Sequence, residues 1–253
     1  LYNVGNILYV GGWFTSVNGV GISGIAQWNI TTQTWSNPFG TGLSAGGCYS
    51  FYSSGNILYI GGLFTTVNGN AWNDIAQFNI TTLTLSNPFG TGLNNYCFAM
   101  CIIGNILYVG GAFTSVNGVG INRIAQWNIS TQTWSNPFGT GLNNWCQIMY
   151  NIGNVLYVGG LFTSVNGNSW SHLVAWNITT QTWFNPFGIV LNGSCNSLAS
   201  LGNILYTGGD FTSPYTRIAQ FDTSYQNAVS IGYQAGYTTQ AINTVALGFQ
   251  SGQ

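Results

Sequence analysis

One phrase, Gly-Asn-(Ile/Val)-Leu-Tyr, begins at Gly5, Gly55, Gly104, Gly153 and Gly202, at steps of 50, 49, 49 and 49 residues. A period of this length signals one supersecondary unit copied in series, each copy burying its apolar surface against its neighbours. After each phrase comes Gly-Gly, at Gly11, Gly61, Gly110, Gly159 and Gly208, and then an aromatic-Thr pair beginning at Phe14, Phe64, Phe113, Phe162 and Phe211. Ile-Ala-Gln-Trp-Asn from Ile25 and Thr-Trp-Ser-Asn-Pro-Phe-Gly from Thr34 complete the unit, with close copies in the next three repeats.

Within a unit the pattern is short and strand-like. Asn-Ile-Leu-Tyr-Val is a β-rich run stopped by two glycines, and Val17-Asn18-Gly19 is a hairpin signal. Ile25 to Asn29 and Thr34 to Ser36 read as two further strands around a polar turn, the second ended by Pro38 and Gly40. The apolar run before each Gly-Asn, such as Cys97 to Ile103, supplies a fourth. Four short antiparallel strands per ~49 residues is the arithmetic of a propeller blade. The expected fold is all-β: a propeller of about five four-stranded blades over residues 1–226, and no long helix. The blades fall near 1–43, 44–93, 94–142, 143–191 and 192–226.

The fifth repeat departs from the others. Its loop from Phe211 to Ile218 is shorter than that from Phe14 to Ile25, and it lacks the Trp-Ser-Asn-Pro-Phe strand. Residues 227–253 instead carry two similar phrases, from Ala228 and from Val245, in which Val229 and Val245 lie 16 residues apart. This segment reads either as the start of a β-roll or as a strand that closes the ring. Both readings hold together if Ala228 to Ile231 completes blade five before the roll begins.

The Gly-Gly, the following aromatic and the Trp pairs Trp28/Trp35, Trp127/Trp134 and Trp176/Trp183 resemble the kelch-type β-propeller repeat over roughly residues 1–222. Kelch repeats usually carry charges between blades, and this chain does not. The C-terminal phrases are similar to the head repeats of trimeric autotransporter adhesins, in which strands of three chains wind into a β-roll. That resemblance implies a homotrimer assembled through the tail. The combination is similar to fibre or surface proteins of large DNA viruses and to bacterial adhesins.

Charge narrows the function classes. Only 2% of the 253 residues are charged, against ~25% in an ordinary soluble domain. The acids are Asp74, Asp210 and Asp222, the bases are Arg123 and Arg217, and His172 is the single histidine. Nucleic acid and anionic membrane surfaces both need basic clusters, which two arginines cannot make. No apolar run reaches the ~18 residues of a membrane helix. Acid–base catalysis needs paired titratable groups of separated pKa, and few pairs are available. A sialidase-type arginine cluster or a galactose-oxidase-type copper site is equally out of reach, so no enzyme and no cofactor are expected.

Cys48, Cys97, Cys146 and Cys195 recur every 49 residues at the head of each inner strand, with Cys101 as an extra. Inner strands line a propeller's channel, so these thiols are expected around the axis. Their alternatives are a soft-metal site and a small buried apolar side chain; the second is favoured, because no His accompanies them. Asn29, Asn79, Asn128 and Asn177 each begin an Asn-x-Ser/Thr sequon at one place in the blade, the turn between the third and fourth strands, and Asn192 begins a fifth. These are glycosylation candidates, though Asn-x-Thr also makes a good turn.

The opposite face gathers the loops between second and third strands and the blade-to-blade connections. Trp72, Asp74, Trp170 and His172 stand in the former, and Tyr96 and Trp145 in the latter. Aromatic rings beside Asn and Asp suit stacking on sugar rings, which makes these six the ligand-binding candidates, with packing between blades as the competing role. The sequence therefore predicts a non-enzymatic structural or adhesive protein, extracellular or on a virion or cell surface, binding host glycans or partner proteins. The alternative is a free-standing monomeric carbohydrate- or protein-binding propeller module, with a propeller enzyme as a distant third.

Overall fold

The computed structural model describes residues 1–44, 46–224, 229–231 and 245–247. Blade one consists of Tyr2–Val4, Ile7–Gly11, Ile25–Asn29 and Thr34–Ser36, hydrogen-bonded in that order as an antiparallel sheet. Blade two is Cys48–Ser54, Ile57–Gly62, Ile75–Asn79 and Thr84–Ser86; blade three is Cys97–Ile103, Ile106–Gly111, Ile124–Asn128 and Thr133–Ser135. Blade four is Cys146–Ile152, Val155–Gly160, Leu173–Asn177 and Thr182–Phe184. Among the described residues blade five has three strands, Cys195–Leu201, Ile204–Gly209 and Ile218–Asp222. The Asn-Gly signals form the expected tight hairpins: Thr66–Val67 pairs with Asn70–Ala71 across Asn68 and Gly69, both left-handed at φ 47° and 77°.

The core lies between blades. Each sheet has two apolar faces, and four hydrophobic clusters join blades one and two, two and three, three and four, and four and five. The tyrosine of Leu-Tyr faces the following blade: Tyr9, Tyr59, Tyr108 and Tyr157 are buried. Each meets the phenylalanine of Asn-Pro-Phe-Gly, which plugs the seam against the next blade. Phe89 lies 4.9 Å from the Trp127 ring and Phe138 4.8 Å from the Trp176 ring. The plug is also bonded, because Trp134 Nε1 donates to the Phe89 carbonyl and Trp183 Nε1 to that of Phe138. The turn that ends the outer strand is thus a core element.

Gly-Gly is explained by the same seam. A Cβ built on Gly110 would lie 2.4 Å from Cys146 Sγ, and one on Gly61 would lie 2.5 Å from Cys97 Sγ. The cysteines at the head of each inner strand are therefore not thiols lining an open channel. All are free and buried in the between-blade cores, each against the first glycine of the preceding pair. Burial pushes the Cys97 and Cys195 thiols up to about 12 and Cys101 to about 11. Neutral thiols here act as small apolar side chains.

None of the four clusters joins blade five to blade one. Among the described residues the outward faces of these two blades are accordingly bare: Tyr206 is 36% and Ile218 71% exposed in blade five, where Tyr157 and Leu173 at the same positions of blade four are buried, and Trp35 of blade one is exposed. Beyond blade five, Val229–Ile231 pairs in parallel with Val245–Leu247, and Val229 faces Val245. The register equals the 16-residue step between the two C-terminal phrases. Most of the expected β-roll or closing segment, Ala228 included, lies outside the described residues.

Candidate functional site

Every complete inner strand begins with a β-bulge, between Cys48 and Ser50, Cys97 and Ala99, Cys146 and Ile148, and Cys195 and Ser197. A bulge inserts an extra residue and re-aims its side chain. The extra residues are Tyr49, Phe98, Gln147 and Asn196. Cys48 stays buried while Tyr49, one residue on, is 40% exposed.

Tyr49 and Phe98 join residues of two kinds of loop into a continuous arc of rings. Trp13, after the Gly-Gly of blade one, lies 6.2 Å from Tyr49 and donates its Nε1–H to the Tyr49 hydroxyl at 2.8 Å. Tyr49 contacts Tyr96 at 5.9 Å and Phe98 at 5.4 Å, and Tyr96 stacks on Phe98 at 5.1 Å. Trp145 closes the arc, 6.4 Å from Tyr96 and 5.5 Å from Phe98. Trp13 is 61% and Trp145 38% exposed. Partial desolvation raises the Tyr49 phenol, and the Trp13 hydrogen bond opposes the shift.

In blade five the same repeat positions are polar. Asp210 stands where Trp13 does, Ser194 where Tyr96 and Trp145 do, and Asn196 where Tyr49 and Phe98 do. The Ser194 hydroxyl and the Asn196 amide donate to Asp210 Oδ2 at 2.8 and 3.1 Å, and Arg217 pairs with Oδ1 at 2.9 Å. These hydrogen bonds, that of Ser194 first, hold the carboxyl below its ordinary range.

Of the six residues expected on this face, the structure places Tyr96 and Trp145 in the arc. Trp72 and Trp170 pack half-buried against the cores of the one–two and three–four seams and make no ring contact with it. Asp74 and His172 occupy one repeated left-handed position, φ 62° and 67°, shared with Gly24, Arg123 and Arg217. Asp74 is 5% exposed, accepts the Phe64 N–H at 3.0 Å and is pushed up to about 7 by burial. His172 Nδ1 donates to the Gly160 carbonyl at 3.0 Å. Both side chains tie a loop to its own blade, and their blades are not adjacent. The Trp13 position is aromatic in no other repeat, and the position shared by Tyr49 and Phe98 is aromatic only in blades two and three, so the period does not single these rings out. The signal was there as Trp13 against Leu63, Ala112, Leu161 and Asp210.

The four equivalent sequons share one geometry. The Oδ1 atoms of Asn29, Asn79, Asn128 and Asn177 each accept two backbone N–H groups of their own turn. Their Nδ2 atoms, where a glycan would attach, donate no hydrogen bond among the described residues. Asn192 differs: its Nδ2 donates to Thr212 Oγ1 while its Oδ1 accepts from Thr212 and Ser213. Asn94 and Asn143 clamp the same loop of their blades in the same way. No group of three or more His, Cys, Asp or Glu able to hold a metal ion occurs among the described residues.

The sequence matches no protein-family model and no curated protein. The structure is similar to that of the computationally designed Ika8 protein, with a TM-score of 0.56 and 17% identity over 88% of this chain and 57% of that one. With its repeated four-stranded antiparallel sheets, the fold is a β-propeller. The computationally designed Ika4 protein aligns at a TM-score of 0.46 and 17% identity over 69% of this chain and 90% of that one. The chain thus spans 57% of the length of Ika8, and at this identity the likeness speaks to fold alone.

Proposed function

We propose that this chain is a non-enzymatic adhesive module of an extracellular or particle-surface appendage, a kelch-like propeller head that stacks sugar rings on the aromatic arc. The observation that carries this reading is the arc itself. Five rings from three kinds of position, contiguous at 5.1 to 6.4 Å, stay at the surface although a chain this apolar could bury them. An aromatic face offers an apolar platform to the C–H face of a pyranose, while Asn196 and Asp210 at the equivalent positions of blade five would accept or donate hydrogen bonds to hydroxyls. Glycans on Asn29, Asn79, Asn128 and Asn177 would lie on the opposite face and leave the arc open. The parallel pair at a 16-residue offset supports a tail related to adhesin-head repeats, through which three chains assemble.

The test is a titration of the full chain with a panel of neutral oligosaccharides, followed by tryptophan fluorescence. Binding by at least one, weakened about tenfold or more in Trp145→Ala and Tyr49→Ala at unchanged melting temperature, is the expected result. Binding that survives both substitutions, or no binding across the panel, sinks the reading.

A further inference from the structure

We infer that the bare face of blade one is a socket for the Asn-Pro-Phe-Gly-Thr-Gly-Leu turn of a further blade of this same repeat, one that lies outside these 253 residues. The occupant is defined by three filled copies of the socket. In blade three Phe89 of the preceding blade is seated against Trp127 and Trp134, and Pro88, Phe89 and Gly90 form one wall of the groove that stays open beside it, lined otherwise by Val116, Asn117 and Ile121. In blade one the equivalent Val17, Asn18, Ile22, Trp28 and Trp35 line the same groove, and no Pro-Phe-Gly wall is present.

Each group that grips the turn elsewhere is idle here. Asn68, Asn117 and Asn166 accept the backbone N–H of Thr41, Thr91 and Thr140 through Oδ1 at 3.1 Å. Their own N–H groups donate to Gly42, Gly92 and Gly141. Val67, Val116 and Val165 form a bridge with Leu43, Leu93 and Leu142 of the same turns. Trp134 and Trp183 donate to the phenylalanine carbonyl. Among the described residues Asn18 Oδ1, the Asn18 N–H and Trp35 Nε1 have no such partner, and Val17 bridges only Val20. The glycine is specified too, because a Cβ on Gly40, Gly90 or Gly139 would lie 2.1, 2.3 or 2.4 Å from the asparagine oxygen.

A second copy of this chain cannot supply the turn. Its four Pro-Phe-Gly turns are already seated in its own seams, with Phe39 on Phe78, Phe89 on Trp127, Phe138 on Trp176 and Phe187 on Phe221. Blade five carries no such motif.

The test titrates the full chain with the synthetic peptide Trp-Ser-Asn-Pro-Phe-Gly-Thr-Gly-Leu and follows the indole N–H resonance of Trp35, assigned with Trp35→Phe. The expected result is a saturable shift of the Trp35 signal, with the Phe→Ala peptide at least about tenfold weaker, the equivalent of ~1.4 kcal/mol. The resonances of Trp134 and Trp183, whose sockets are filled, should not move. No shift at millimolar peptide, or equal shifts with both peptides, overturns the proposal. A Trp35 shift that depends on protein concentration without peptide would assign the socket to a second copy and overturn it equally.

Discussion

Blades one and three carry the same Ile-Ala-Gln-Trp-Asn and Thr-Trp-Ser strands, yet Trp127 is buried and Trp28 is only half-buried. The difference comes from the neighbour: Phe89 of blade two is wedged against Trp127 and Trp134, and among the described residues nothing equivalent meets Trp28 and Trp35. A blade's local sequence thus sets its strands and registers, while the adjoining blade sets how much of it is buried. Stability in such a series is a sum of units and nearest-neighbour seams.

The largest break between the two blades should come from the plug. Phe89→Ala removes a fully buried ring at the centre of the two–three seam and should destabilise the protein by ~3–5 kcal/mol in urea unfolding. Trp35→Ala, on the bare face of blade one, should cost about 1 kcal/mol or less. Comparable losses at the two sites would mean that blade one is covered in solution.

A smaller effect separates the repeated left-handed position of blade two from its copies. Asp74 is pushed up to about 7 by burial, so the folded state holds its proton more tightly than the unfolded chain does. The stability from protonation is fully present below the ordinary carboxylate value of ~3.9 and is lost as pH rises to about 7. Asp74→Asn keeps the acceptor for the Phe64 N–H and tolerates the positive φ. It should remove most of that pH dependence and gain ~1–2 kcal/mol at pH 8, measured by urea unfolding at several pH values. An unchanged pH profile would show that Asp74 is hydrated.

Much of this contrast was readable from the residues. The period of the Gly-Asn-Ile-Leu-Tyr phrase places the strands, and Asn-Gly places the hairpins. What the period hides is the chemistry of single positions. Pro-Phe-Gly reads as a strand end because proline and glycine break strands; that its phenylalanine is a core residue follows only once blades are set side by side. Its recurrence at Phe39, Phe89, Phe138 and Phe187 was the clue, since a plain turn needs no large apolar side chain. The arc was half readable. Tyr96 and Trp145 stand in connections that a blade count puts on one face, but Tyr49 and Phe98 reach it through bulges that no composition announces. Trp72 and Trp170 matched the same aromatic-with-Asn pattern, and their rings turned to the seams.

Four seams, each between consecutive blades, hold the protein together, and among the described residues blades one and five each keep a bare face. Amide hydrogen exchange of the second strands tests this arrangement most directly. Ile106–Gly111 and Val155–Gly160, covered on both faces, should exchange at least about tenfold more slowly than Ile7–Gly11 and Ile204–Gly209. Equal protection in all five blades would mean that blade five packs on blade one and that neither keeps a bare face.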